Sequence, residues 1–150
     1  MTGVHRPAVR VICFDSDGWI LLLNWEDPVS HDRLWEPPGG GIDPGETPWQ
    51  AARRELAEET GLDPARVGER FTDVHRDFVW KGQRTTGPEQ FFAAFFPTAR
   101  PAVVRDHLLP YEQEDLIAQK WVDPAGLTEL PGRLDPPTLP DLVRELSSWS

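Results

Sequence analysis

Three carboxylates, Glu55, Glu58 and Glu59, stand at spacings i, i+3 and i+4 in a run rich in helix formers, Ala51 to Glu59. On a helix those spacings make them surface neighbours. Like charges so placed repel one another, and they fall in the C-terminal half of the run, where the helix dipole disfavours anions. A bound divalent cation removes both penalties. Mg²⁺ is a hard ion that takes oxygen ligands, keeps several waters and binds through a few carboxylates plus substrate phosphates. A solvated acidic helix face is the competing reading of the triplet taken alone. The glycines just upstream, Gly39-Gly40-Gly41, can bring main-chain groups close to such an ion.

The elements that must hold these carboxylates can be read from local signals. Thr47 is a candidate N-cap, Pro48 suits the first helical position and Gln50 completes a capping box. Gly61 stands where a C-terminal cap belongs. At about 100° per residue, Trp49, Ala52, Leu56 and Thr60 share one stripe that can pack on a sheet. Residues 8–14 and 19–25 read as strands, joined by a turn over Asp15-Ser16-Asp17-Gly18. A short extended piece follows at Leu34-Trp35-Glu36, and Pro37 to Gly41 reads as irregular. Residues 70–80 and 89–96 read as two strands, with Lys81 to Pro88 connecting them. Ala99 to Tyr111 reads as a loop, and the acidic stretch Glu112 to Asp115 precedes a strand near Gln119 to Val122. Residues 138–149 form a closing helix with Leu139, Leu142, Val143 and Leu146 on one stripe. Intermingled strands and helices place the chain in the α/β or α+β class with a mixed sheet.

Composition sets further bounds. The chain has 150 residues, the size of one domain, so a single domain over 1–150 is expected. Its formal net charge of −10 comes from 25 acidic and 15 basic residues. Such a surface repels a nucleic-acid backbone, so no nucleic-acid partner is expected. Cys13 is the only cysteine, which rules out an intramolecular disulfide and suits a buried strand position. Met1 to Pro7 lacks the apolar stretch of a signal peptide, and Trp19 to Leu23 is too short to span a bilayer. No membrane association and a cytoplasmic location are the expectations. The four histidines, His5, His31, His75 and His107, lack metal-ligand spacing and are assigned no role. Trp25, Trp35, Trp80 and Phe78 could stack on a base, but read as core or rim residues.

The full string decides between a metal site and a solvated face. From Gly40 the chain runs five residues to Glu46 and seven more to Arg54-Glu55-Leu56. One residue separates these from Glu58-Glu59, and one more precedes Gly61-Leu62. This string resembles the signature of the Nudix family at every specified position. With fixed residues at roughly 5–10% background frequency, chance gives such a match in fewer than about one chain per million. Trp35 to Gly41 resembles the family's strand leading into the box, and Trp121-Val122-Asp123-Pro124 with Leu127 resembles its late strand and turn.

The resemblance implies a Nudix-like α/β/α sandwich with a mixed β-sheet and the box as loop–helix–loop. It implies metal-dependent hydrolysis of a diphosphate linkage in a nucleoside diphosphate derivative, with a nucleoside triphosphate or related small nucleotide favoured. Glu55, Glu58 and Glu59 would be the metal-binding carboxylates for Mg²⁺, with Mn²⁺ a substitute, and Gly40 would offer a backbone carbonyl. Glu58 or Glu59 would also help to activate water, and Arg54 with Glu46 would orient the helix carboxylates. A further carboxylate from outside the box is expected at Glu114, with Glu112 and Glu89 as alternatives. Two subfamily hints are missing: no proline lies between Pro64 and Pro88, and the one tyrosine, Tyr111, lies far downstream. The alternatives are a non-catalytic nucleotide-sensing module, and an isomerase needing a catalytic cysteine, for which Cys13 is poorly placed. Family members are often dimers, so a homodimer is an expectation that no residue here locates.

Overall fold

The computed structural model describes residues 7–105 and 108–150. His5 and His107 lie outside the described residues, as does all of the N-terminal segment except Pro7. The architecture grows from alternation within the central strands. In β1 (Ala8–Phe14) and β2 (Ile20–Glu26) nearly every residue is buried, the pattern of strands covered on both faces. Ile12, Phe14, Ile20 and Leu22 pack on one side with Leu139, Leu142, Val143 and Leu146 of α3 (Leu139–Leu146). Val9, Val11, Cys13 and Leu21 pack on the other with Ala51, Ala52 and Leu56 of α1 (Pro48–Thr60). The strand period of two therefore feeds two cores, one under each helix. The result is the α/β/α sandwich expected from the sequence.

The sheet is mixed. Its order is β5 (Val67–Trp80), β6 (Gln83–Phe95), β1, β2, β3 (Arg33–Glu36) and β8 (Arg133–Leu134). The β1–β6 and β3–β8 pairs are parallel, and the rest of this path is antiparallel. Off the path, β4 (Gly39–Gly41) pairs with β1 and β7 (Leu116–Val122) with β2. A cleft is lined jointly by residues of β5, β2 and β3. A third apolar cluster, Leu23, Trp25, Leu34, Leu108 and Leu116 with Trp80 against it, lines that region.

Three expectations need correction. Gly39–Gly41 is a short strand and not irregular, in register with Ala8–Arg10. Glycine makes this possible, because a Cβ at Gly39 would lie 2.1 Å from the Val9 carbonyl oxygen. The connection expected over Lys81 to Pro88 shrinks to Lys81-Gly82, whose positive φ angles of 54° and 76° suit a two-residue hairpin turn. Pro88 is tolerated inside β6 because β1 pairs only from Gln90 onward, leaving Pro88 paired on one side alone. The loop expected over Ala99 to Tyr111 gives up its last two residues to a short helix, α2 (Pro110–Asp115), which takes in the acidic stretch, with Glu112 accepting from the Leu109 amide at 2.9 Å.

The helix that carries the carboxylates is capped as its sequence implies. Thr47 Oγ1 accepts from the Gln50 amide at 3.1 Å, and Gln50 Oε1 accepts from the Thr47 amide at 2.9 Å. Gly61, at φ 72°, donates its N–H to the Ala57 carbonyl. None of the described helices is long and apolar enough to cross a membrane.

Leu146, the last residue of α3, is fully buried in the core beneath that helix. Leu146→Ala should cost about 2–5 kcal/mol of stability, the range for emptying a packed leucine site. Chemical denaturation checks this, and a loss below about 1 kcal/mol would show that α3 is peripheral to the core.

Candidate active site

Arg54 is the hub of the loop–helix junction. Its Nε and Nη2 donate to the two oxygens of Glu46 at 2.8 and 3.0 Å, a two-point clamp. Nη2 also donates to the Gly41 carbonyl at 2.8 Å, and Nη1 to Glu55 at 2.9 Å and Glu58 at 3.2 Å. One guanidinium therefore ties the loop after β4 to two carboxylates of α1. The hydrogen bonds to Glu46, followed by that to Glu55, hold Arg54 more firmly protonated against its partial burial, and those same bonds from Arg54 lower the Glu46 pKa.

The three helix carboxylates occupy different surroundings. Glu58 is half-exposed at the rim. Glu55 is largely covered, and burial raises its pKa against the opposing pull of Arg54. Glu59 is buried, 3% exposed, with Oε1 accepting from the Gly39 amide at 2.7 Å. Burial raises its pKa well above the usual carboxylate range, with Arg10 opposing the shift and Glu55 adding to it. Gly40 leaves room for Glu55, since a Cβ there would lie 2.5–2.6 Å from the Glu55 carboxyl group.

These donors fit a hard divalent cation. Every one is an oxygen, and the Gly40 backbone forms a cradle that any side chain would fill. Among the described residues no three acidic, His or Cys side chains converge as a preformed cage. That is compatible with Mg²⁺, which takes one or two carboxylates and completes its shell with water and substrate phosphates.

Beside the helix lies a cleft of about 370 Å³. Glu59, Gly39 and Arg10 meet it at one side. Trp25, Leu34, Phe78 and Trp80 supply apolar walls, and Tyr111, Glu112 and Asp115 come in from α2. Lys81, at the hairpin tip, reaches Asp115 at 3.3 Å and lies over the Tyr111 ring at 5.0 Å. Glu59 of the helix triplet thus stands at the edge of a slot with aromatic walls.

A NUDIX domain model matches residues 4–143. The chain belongs to the Nudix family. The RNA pyrophosphohydrolase of Gluconobacter oxydans is 33% identical over 134 residues, covering 85% of this chain and 76% of that protein. The NUDIX domain of Shewanella oneidensis NrtR, complexed with ADP ribose, superposes with a TM-score of 0.67 at 22% identity, covering 97% of this chain and 88% of that one. A C. elegans Ap4A hydrolase binary complex gives a TM-score of 0.62 at 22% identity and covers 96% of both chains. The two structures support the fold. The family and its pyrophosphohydrolase relatives make this chain a Nudix-type hydrolase of a diphosphate linkage in a nucleotide derivative.

The Nudix box residues Gly40, Glu46, Arg54, Glu55, Glu58 and Glu59 come together as their spacing implies. The residues outside the box divide. Glu114 is exposed on α2 and does not line the cleft, whereas Glu112, its neighbour by half a helical turn, does. Glu89 is buried in ion pairs with Arg76 and Arg10. Trp25, Trp80 and Phe78 line the cleft, while Trp35 is a core residue whose Nε1 donates to the Pro131 carbonyl. Arg10, Glu36, Lys81, Asp115 and Asp135 also line it and were not singled out by sequence. Only the alternation of Arg76, Phe78 and Trp80 along β5 offered a local signal, because alternate strand residues share a face.

Gly40→Ala should push the Glu55 carboxylate out of its cradle without disturbing the apolar cores. Calorimetric titration with Mn²⁺ should show at least about tenfold weaker binding, as when groups that orient ligands are lost. Unchanged affinity would mean that Glu55 needs no such room.

Proposed function

We propose that this Nudix enzyme cleaves a free, mononucleotide-sized substrate, a nucleoside triphosphate or a related small nucleoside diphosphate derivative, with Mg²⁺ or Mn²⁺. The observation that carries this reading is the cleft, in which Glu59 of the box faces a slot with aromatic walls. Its volume of about 370 Å³ suits a single small ligand. The net charge of −10 disfavours a long polyanion.

In this reading Glu55, Glu58 and Glu59, with the Gly40 carbonyl, hold the metal ion. When bound, the ion supplies neutralisation of the diphosphate oxygens, the main requirement of phosphoryl chemistry. Glu46 and Arg54 keep the helix carboxylates in place through the clamp described above. Glu58 or Glu59 takes the proton from the attacking water. Glu112 is the better candidate than Glu114 for the additional carboxylate, because it lines the cleft and uses only Oε1 to cap Leu109. The walls from Trp25, Phe78 and Trp80 exclude water from one side of the substrate.

A second reading is removal of diphosphate from the 5′ end of RNA, favoured by the name of the Gluconobacter oxydans relative. A panel of nucleoside triphosphates, nucleotide conjugates and 5′-triphosphate RNA separates the two, assayed with Mg²⁺, with Mn²⁺ and with EDTA. Cleavage of free nucleotides with little on RNA is expected, and EDTA should abolish it. Preferential cleavage of RNA would replace the first reading by the second.

Glu58→Gln or Glu59→Gln should lower turnover by roughly 10²–10⁴-fold, the range for a positioned general base, with the fold retained. Glu112→Gln should cost more than Glu114→Gln. Near-native turnover in both box variants would remove the proposed roles, and the reverse order for the α2 pair would return the additional role to Glu114.

A further inference from the structure

Glu59 is held at both ends by the two strands that lie off the main path of the sheet. Its carboxylate accepts from the Gly39 amide of β4 at 2.7 Å. Its main-chain carbonyl accepts from Gln119 Nε2 of β7 at 2.9 Å, across 60 residues of sequence. The ion pairs at the cleft floor, Arg10 with Glu36 and Arg76 with Glu89 and Asp135, close on one another. Gln119, by contrast, is neutral and reaches the helix itself.

A helix leaves its last four carbonyls without internal partners. In α1 the Ala57 carbonyl is met by the Gly61 amide, the Glu59 carbonyl by Gln119 and the Thr60 carbonyl by the Val104 amide, each at 2.9 Å. Gln119 Nε2 also lies 3.5 Å from the Val104 carbonyl, so one amide group bridges the helix end and the segment packed on it. Both of its neighbours are carbonyl oxygens, which fixes the amide nitrogen toward them. That segment fits closely, since a Cβ at Gly61 would lie 2.3 Å from Val104 Cγ2. Trp121, on the same face of β7 as Gln119, donates from Nε1 to the Pro101 carbonyl at 2.9 Å and holds the segment from its other side.

The charge of this cap matters. Helix C-termini are ordinarily stabilised by cations, yet the last turn of α1 has no basic residue. A cationic side chain there would rival a metal ion for the carboxylates of the same turn. The Gln119 amide satisfies the Glu59 carbonyl without that competition.

We propose that Gln119 is a positioning residue for Glu59. It fixes the main chain of the last helical turn while Gly39 fixes the carboxylate, and together they set where that carboxylate meets the metal ion. This rests on the metal-binding role proposed for Glu59. It adds a residue of β7, outside the box and not lining the cleft, that acts through Glu59.

The test is Mn²⁺ binding to the full chain by calorimetry, which needs no hydrolysis. Gln119→Leu keeps the size of the side chain and removes the donor. It should weaken Mn²⁺ binding roughly 10- to 100-fold, as when a group that orients a metal ligand is lost. It should also lower kcat with little change in KM. In a Glu59→Gln background the same substitution should cost less than about threefold more, because two residues in one chain of contacts are not additive. A cap that serves stability alone would leave Mn²⁺ affinity unchanged or weaken both backgrounds equally, and either result in a folded variant would overturn the assignment. Should Gln119→Leu fail to fold, Gln119→Glu keeps the shape, sets a carboxylate against the Glu59 carbonyl and should weaken Mn²⁺ at least about tenfold. Unchanged affinity in Glu59→Gln would remove the metal role of Glu59 and this inference with it. Weaker binding in Glu59→Gln, with none lost in the Gln119 variants, would leave that role standing and refute Gln119 alone.

Discussion

At Gly39 and Gly40 the main chain has close neighbours on two sides, and the rest of the site is arranged around that contact. On one side β4 lies against β1 so closely that a single Cβ at Gly39 would meet the Val9 carbonyl. On the other, the Gly39 amide holds Glu59, and the missing Cβ of Gly40 makes room for Glu55. A strand of glycines is intrinsically weak, because glycine loses more conformational freedom than any other residue. Here that weakness is offset by pairing with a strand whose alternate residues anchor two apolar cores. The carboxylates of α1 are therefore referenced to the centre of the sheet and not to a mobile loop.

Charge is the second organising constraint. Three acidic side chains on the last turns of a helix oppose both one another and the helix dipole. Arg54 offsets part of this by contacting Glu46, Glu55, Glu58 and the Gly41 carbonyl with one planar group, a geometry that lysine cannot supply. Burial raises the proton affinity of Glu55 and Glu59, the response of carboxylates that lack a full complement of countercharge. The same constraint recurs at the cleft floor. Glu36, Glu89 and Glu59 outweigh the desolvation of Arg10 and hold its guanidinium firmly charged.

The cleft itself follows from how the sheet divides. The β5–β6 hairpin extends well beyond the reach of β1, because β1 pairs with β6 only from Gln90 to Phe95. Its overhanging half carries Phe78, Trp80 and the Lys81 turn across to α2 and β2. Lys81 is fixed there twice, by its amide on Asp27 and its ammonium on Asp115. A strand pair too long for the sheet thus becomes the wall of a site.

How far the sequence reached depended on the range of the interaction involved. The helix, its caps and the box were legible because Thr47, Gln50 and Gly61 act on backbone groups within four residues, and the carboxylate spacing is itself local. The α3 stripe was legible for the same reason. The short strand at Gly39–Gly41 was not, since glycines signal freedom and only β1 turns that freedom into pairing. Gly87 and Pro88 suggested a connection, yet the hairpin runs through them because no strand needs hydrogen bonds on their other side. The choice between Glu112 and Glu114 turned on which face of α2 meets the cleft, and packing alone decides that. The chain by itself thus determined the family, the reaction class and the helix that presents the carboxylates, all encoded in short-range spacing. Tertiary structure decided the cleft and its buried network, because Arg10, Arg76 and Asp135 become neighbours only when strands distant in sequence are brought together.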